Sequence, residues 1–324
     1  MSEQWLLGVD LGGTTTKLAF LSQNGEILYK WGIPTDNSND GQNITINIAE
    51  SMEQKLSELK LTKSHLLGIG MGAPGPVNYE KGIIYNTVNL GWPDHYPLME
   101  MLQKATSLPV AIENDANCAA AGEMWKGAGN GSANVLCVTL GTGVGGGIVA
   151  NGQILQGYRG AGGEIGHITS VTEGGARCGC GKTGCLETVA SATGIVRIAT
   201  EEIQSKKNTS GSLFDLYQLN GRISAKDVFD CASKGDAKAL FVVEHVAHYL
   251  GLALANIAST VNPEKIVLGG GVSLAGDVLL KPVQTYFNKY VFPPIKDYTS
   301  ITLATLGNDA GVIGAAWLIK NHLK

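Results

Sequence analysis

Apolar and polar positions fall into blocks whose period changes along the chain. From Trp5 to Leu11 the residues are mostly apolar and close on Asp10-Leu11. Gly12-Gly13-Thr14-Thr15-Thr16 interrupts them, and Lys17 to Leu21 resumes the run. This is the pattern of strand, tight loop and strand. Asn24-Gly25 is a strong hairpin signal, and Glu26 to Trp31 predicts a third strand. The same order returns later: Val135 to Leu140, the loop Gly141-Thr142-Gly143, Val144 to Ala150, the turn Asn151-Gly152, then Gln153-Ile154-Leu155. A motif used twice predicts two similar domains.

Elsewhere helix and strand alternate. Ile44, Ile48, Met52, Leu56 and Leu59 share one face of a helix over Asn43 to Leu59. Leu66 to Met71 reads as a strand ending in Gly72-Ala73-Pro74-Gly75-Pro76, and Pro109 to Glu113 as a strand followed by a helix over Ala116 to Trp125. A long helix is expected at about Ala237 to Thr260, then a strand at Lys265 to Leu268 and a helix around Asp277 to Asn288. A strand at Ile301 to Thr305 precedes a final helix, Ala310 to Ile319, with Asp309 as its expected N-cap. Part of the polar stretch Glu201 to Gly221 reads as surface loop. Such alternation predicts an α/β fold with mixed sheets.

Composition narrows the function. With 324 residues the chain exceeds a single ordinary core. A formal net charge of -4 and a pI of about 5.9 supply no basic face, which argues against a nucleic-acid partner. The first residues lack the basic start and cleavage site of a signal peptide, and no continuous apolar stretch of membrane-spanning length occurs. A cytoplasmic protein without a membrane partner is expected. The 44 glycines cluster in loops, which is the first pointer to backbone contact with an anion.

In the first loop Asp10 ends a strand, Gly12 and Gly13 permit close approach of backbone N–H groups to phosphate oxygens, and Thr14 and Thr15 add hydroxyl donors. Asp10 is the candidate for holding Mg²⁺ beside a nucleotide. Gly141, Thr142 and Gly143 offer the same chemistry in the second loop. One such loop alone reads better as a tight hairpin, but two in duplicated contexts, one led by Asp10, favour phosphate binding. Neither is a Walker A motif. Gly269 and Gly270, after the strand at 265–268, are either a backbone shelf for adenosine or a plain turn.

Glu113-Asn114-Asp115 lies where a strand gives way to a helix. Phosphoryl transfer to a hydroxyl needs a group that orients the hydroxyl and takes its proton. Asp115 is the candidate base and Asn114 a candidate partner for a neighbouring sugar hydroxyl; a simple helix cap is the alternative. Glu164 and His167, three apart among glycines, and Glu187 further on suit the diol edge of a polyol. His167 with Cys178, Cys180 and Cys185 forms a Cys₃His set, the usual chemistry of structural Zn²⁺; a disulfide or idle thiols are the alternatives. Four closed ligands imply a metal that pins the loop carrying Glu164, His167 and Glu187. Cys118, Cys137 and Cys231 read as buried small side chains.

Taken together, Asp10-Leu11-Gly12-Gly13-Thr14, Glu113-Asn114-Asp115, Leu140 to Gly147, Gly163-Glu164-Ile165-Gly166-His167 and the Cys178 to Glu187 knot resemble the ROK family of repressors and sugar kinases. The resemblance runs from about Asp10 to the last helix. It implies an actin-like, hexokinase-like ATPase fold, with two similar α/β domains around a central cleft. The last helix then returns to the first domain, giving 1–115 plus 306–324 against 116–305. It implies an ATP- and Mg²⁺-dependent transfer of phosphate to the 6-hydroxyl of a hexose, with Asp115 as base. Asn114, Glu164, His167 and Glu187 would hold the sugar, joined by Gly75 and Asn89, and His167, Cys178, Cys180 and Cys185 would bind zinc. A homodimer or homotetramer is implied, with the second domain as the expected dimerisation region. Thr15 and Thr16 stand before Lys17 where many members place Lys at once, which speaks against a phosphate role for Lys17. This variation and the length look most like the glucokinases of Gram-positive bacteria, so glucose is the expected sugar. N-acetylglucosamine, N-acetylmannosamine or fructose are alternatives, and a sugar-binding module without catalysis is a further one. Family repressors carry a helix-turn-helix domain ahead of the Asp-Leu-Gly-Gly loop, so the start of that loop at Asp10 argues against a repressor.

Overall fold

The computed structural model describes residues 4–85, 90–205 and 210–323. The chain begins with β1 (Trp5–Leu11), β2 (Thr15–Leu21), β3 (Ile27–Pro34), α1 (Asn43–Glu58), β4 (Leu66–Ala73) and the short pair β5 (Val77–Asn78) and β6 (Ile83–Ile84). Then come α2 (Leu98–Thr106), β7 (Val110–Asn114), α3 (Asp115–Lys126), β8 (Val135–Leu140), β9 (Val144–Ala150), β10 (Gln153–Ile154), α4 (Glu187–Ala190) and α5 (Ala192–Gln204). The remainder is α6 (Ser212–Asn220), α7 (Ala225–Ala232), α8 (Ala237–Val261), β11 (Lys265–Gly269), α9 (Asp277–Tyr290), α10 (Pro293–Lys296), β12 (Ser300–Leu303) and α11 (Ala310–His322).

Two five-stranded mixed sheets follow one plan. Their strand orders are β3-β2-β1-β4-β7 and β10-β9-β8-β11-β12, so each runs third, second, first, fourth, fifth. In the first, β2 pairs antiparallel with β1 and β3, while β1, β4 and β7 run parallel. In the second, β8, β11 and β12 run parallel and β9 pairs antiparallel with β10. The duplicated strand-loop-strand pattern of the sequence is thus a duplicated topology.

The period-two alternation of β1 sorts its side chains between two cores. Leu7, Val9 and Leu11 join Ile44, Ile48, Met52 and Leu56 of α1 on one face, whereas Leu6 joins Val312, Ile313 and Ile319 of α11 on the other. Each such buried side chain contributes roughly 1.5–3 kcal/mol. Glycine makes the second face possible. Gly8 and Gly70 are register partners on β1 and β4, and a Cβ on them would lie 2.1 Å from the Val312 oxygen and 1.7 Å from the Ala315 oxygen. The α11 backbone therefore rests directly on the sheet. On its other side, a Cβ at Gly314 would lie 1.6 Å from the Cys118 oxygen, and one at Gly122 2.2 Å from the Ala310 oxygen, so α3 and α11 touch backbone to backbone. Gly314→Ala is expected to destabilise this unit by about 3 kcal/mol, because backbone rather than a flexible side chain must move. A thermal midpoint equal to that of the wild type would contradict the packing.

The chain divides into two compact units, Met1–Ala133 with Gly147–Gly163 and Leu306–Lys324, and Asn134–Gly146 with Glu164–Thr305. The last helix lies in the first unit, and helix α3 lies there with it, in contact with α11. Segment 147–163 joins it too, since a Cβ at Gly147 would meet the Ala120 Cβ at 2.5 Å and one at Gly160 the Val77 oxygen at 1.9 Å.

One further detail departs from the sequence reading and two others add to it. Asp309 makes no side-chain cap on α11; its carboxylate is held by Lys30 Nζ at 2.7 Å and 2.9 Å. The polar stretch 201–221 contains the end of α5 and all of α6, with 206–209 outside the described residues. Finally, α8 is the one helix among the described residues with the length and apolarity to cross a bilayer, and 56% of its most apolar window is buried. Gly251 explains part of this burial, since a Cβ there would lie 2.6 Å from the Tyr286 Cβ of α9.

Candidate active site

In the first unit the candidate residues gather at the carboxyl ends of parallel strands, where open α/β sheets place their ligands. Asp10 on β1 is the register partner of Gly72 on β4, which in turn partners Glu113 on β7. Asp10 lies against the first turn of α11, where a Cβ at Gly311 would come 2.7 Å from its Cγ. That helix end favours an anion. Lys17 Nζ also donates to Asp10 Oδ2 at 3.1 Å, so its visible partner is the acid. Cys118, on α3, is wholly buried. Burial above all, then the charges of Glu113, Asp10 and Asp115, hold its thiol well above the usual range. Three carboxylates thus converge on one end of the sheet.

The first glycine-threonine loop, the candidate for phosphate, is held by its carbonyls. Thr35 Oγ1 donates to the Gly12 oxygen at 2.7 Å and Asn37 Nδ2 to the Gly13 oxygen at 2.8 Å, and Thr35 N donates to the Thr14 oxygen at 3.0 Å. Among the described residues, the Gly13 and Thr14 N–H groups donate to no backbone carbonyl. With its acceptors engaged, the loop offers donors, as an anion requires. Thr14 and Thr15 are exposed, while Thr16 is buried and shares a 2.9 Å hydrogen bond with Thr35.

At the β7–α3 junction the cap falls on Asn114, the residue before the candidate base Asp115. Asn114 is the cap: its Oδ1 accepts from Ala116 N at 2.9 Å and Asn117 N at 3.2 Å. Its Nδ2 donates to the Gly75 oxygen at 3.1 Å, and Gly75 has a φ of 113° that disfavours a side chain. Both lone pairs of Oδ1 are engaged and one amide hydrogen remains, so Asn114 can serve a sugar hydroxyl only as donor. Asp115 is the first residue of α3, and its Oδ1 accepts from Ala116 N at 2.8 Å. Asn89 lies outside the described residues.

In the second unit the second loop is tied to α4 and α5. Ala192 N donates to the Gly141 oxygen at 2.8 Å, Thr193 Oγ1 to the Thr142 oxygen at 3.0 Å, and Val144 N to Glu187 Oε2 at 3.1 Å. A Cβ at Gly143 would lie 2.3 Å from that carboxylate oxygen, so a larger residue here would have to displace the Glu187 side chain. Gly270, with a φ of 84° and a virtual Cβ 2.5 Å from the Leu140 oxygen, packs below the same loop, which supplies a structural reason for its glycine.

His167, Cys178, Cys180 and Cys185 present donor atoms that all lie within 4.8 Å of one another. Cys180 and Cys185 Sγ are 3.6 Å apart, as are Cys178 Sγ and His167 Nδ1. Tetrahedral Zn²⁺ with bonds of about 2.3 Å to sulfur needs donors about 3.8 Å apart, so the set fits the metal. Such a metal would order the loops that carry its ligands. Burial pushes the Cys178 thiol up to about 12 and the Cys185 thiol upward, while the Lys182 N–H pulls Cys180 down. Lys182 Nζ closes the knot on the His167 oxygen at 2.9 Å. His167 Nε2 faces Glu164 at 3.9 Å, and Glu187 Oε1 faces Cys178 Sγ at 3.7 Å. Glu187 therefore links the knot to the 141–143 loop, a position that its local sequence did not reveal. Thr35, Asn37, Gln156 and Thr193 also escaped sequence reading, because each reaches the site region from a distant segment.

Residues 6–322 match the model of the ROK family. The chain belongs to the ROK family. Among similar ROK proteins, the glucokinase of Halalkalibacterium halodurans is 58% identical over 99% of this chain and 97% of its own length. A ROK family glucokinase from Streptomyces griseus, solved in complex with glucose and AMPPNP, superposes with a TM-score of 0.76 at 32% identity, covering 97% of this chain and 98% of that one. A ROK family transcriptional regulator, a homologue of the E. coli MLC protein, reaches 0.84 at 31% identity, covering 99% of this chain and 79% of the regulator. The two mixed sheets are those of the actin-like, hexokinase-like fold of ROK sugar kinases.

Proposed function

We infer that this ROK protein is an ATP-dependent hexose kinase that transfers phosphate to the 6-hydroxyl of glucose. The observation that carries this is the 58% identity with a glucokinase along essentially the whole of both chains. The convergence of Asp10 and Asp115 at one sheet end supports it. Asp115 accepts the proton of the attacking hydroxyl, and Asn114 donates its remaining amide hydrogen to the sugar. Glu164, His167 and Glu187, with Gly75, complete the sugar contacts. The loop of Gly12, Gly13, Thr14 and Thr15, through the Gly13 and Thr14 N–H groups, and the loop of Gly141, Thr142 and Gly143 receive phosphate oxygens, and Gly269 and Gly270 flank the adenosine. Asp10 holds Mg²⁺, which neutralises phosphate charge. His167 Nδ1 and the three thiolates hold Zn²⁺ as a structural ion. A cytoplasmic location and a homodimer or homotetramer belong to the same reading; half-exposed Phe241 and Leu240 on α8 support self-association.

The test is ADP release from Mg²⁺-ATP with glucose, mannose, fructose, N-acetylglucosamine and N-acetylmannosamine. Glucose is expected to have the highest kcat/KM. Preference for an N-acetylated sugar would keep the chemistry and replace the substrate, and no turnover on any sugar would leave a binding protein.

A further inference from the structure

Glu113 stands beside the junction residues, yet the mechanism above gives it no part. It is wholly buried. An ionisable group in such a place is tolerated only when its polar atoms are satisfied. Its Oε1 accepts from Asn114 N at 2.8 Å and from Asn117 Nδ2 at 3.1 Å, and its Oε2 accepts from Gln156 Nε2 at 2.5 Å. Asn117 makes this bond although its own Oδ1 is buried without a partner among the described residues. The three donors come from the strand end, the first turn of α3 and segment 147–163. The Asn114 N–H and Asn117 Nδ2 both face Oε1, so position 113 must present an acceptor to the junction, while Gln156, an amide, can donate or accept on the other side.

We propose that Glu113 is a positioning residue for phosphoryl transfer, whose carboxylate fixes the strand-to-helix switch that aims Asn114 and Asp115. The proposal rests on the assignment of Asp115 as base. Glu113 clamps the Asn114 peptide, one residue before Asp115, and through Asn117 it clamps the turn in which Asp115 lies. Gln156 braces the carboxylate from outside the junction. Glu113 touches no reacting atom in this scheme; it acts through its neighbours.

The experiment removes the acceptor at position 113 and then restores it. Glu113→Leu leaves the Asn114 N–H and Asn117 Nδ2 without an acceptor. In Glu113→Gln the amide oxygen still accepts from both, while its NH₂ donates to a Gln156 amide turned to present its oxygen. Glu113→Leu is expected to lower kcat by about 10- to 100-fold, since misplacement by an ångström costs that order, with KM for ATP unchanged. Glu113→Gln is expected to recover most of the kcat. A merely structural role would lower the thermal midpoint but leave the folded enzyme's kcat alone. Folded Glu113→Leu with wild-type kcat overturns the proposal, as does a Glu113→Gln variant that regains its midpoint but not its kcat. Should Glu113→Leu fail to fold, Gln156→Leu decides: a lowered kcat supports the clamp and an unchanged one overturns it. Asp115→Asn, assayed alongside, keeps the two ideas apart. A normal rate there removes the base, whereas a low rate there beside a normal Glu113→Leu removes only the positioning role.

Discussion

Asp115→Asn is expected to lower kcat by roughly 10²- to 10⁴-fold, the usual contribution of a general base, while the Kd for glucose stays near that of the wild type. Asparagine has the shape of aspartate, and its Oδ1 can keep accepting from Ala116 N, the bond that seats Asp115 on the first turn of α3. Asn114 remains the helix cap, so the junction should hold its form. What the substitution removes is the capacity to take a proton. Turnover with glucose, alongside calorimetric binding of glucose to the same variant, separates the two effects. Turnover close to wild type would show that proton removal does not depend on this carboxylate.

The second large effect is expected from Cys180→Ala. Cys180 is the exposed member of the Cys₃His set, so its loss removes a ligand without opening a cavity in the core. Zinc content, expected near one per chain in the wild type, should fall toward zero, because binding of a structural metal is inseparable from the folding of its loop. The consequence should reach the active site through Glu187, which faces Cys178 on one side and binds Val144 N on the other. When the knot loosens, this carboxylate and the 141–143 loop lose a fixed support. KM for glucose and for ATP should both rise, by roughly 10- to 100-fold if the support behaves as other metal-site shells do. Elemental analysis decides the first part: a fully active wild-type protein without zinc would remove the metal assignment.

Much of this protein was legible in the chain because the relevant signals are local. The Asp10 to Thr16 and Gly141 to Gly143 loops, the strand runs beside them and the Cys178 to Cys185 spacing each lie within a dozen residues. Their chemistry follows from residue type and order. The Asn-Gly turns marked two hairpins, and the duplicated order of elements, read as two similar domains, corresponds to two sheets of the same strand order. Glycine was only half read. Loop glycines were recognised, but Gly8, Gly70, Gly122 and Gly314 lie inside strands and helices, where they allow α11 to pack backbone to backbone. A pattern of apolar positions cannot reveal that, since the information belongs to the facing element.

By itself, the sequence determined the α/β class, the paired glycine-threonine loops, the thiol–imidazole knot and the acids proposed for the sugar and its proton. These depend on short-range order, which periodicity and spacing report. Only the tertiary structure decided that α3 and segment 147–163 belong with the first unit. It alone gave the capping role to Asn114, brought Gln156 to Glu113 across 43 residues and set Glu187 between the knot and the second loop. Hydrogen bonds and backbone contacts between distant segments carry no local signature, because each half is satisfied only by a partner that folding delivers.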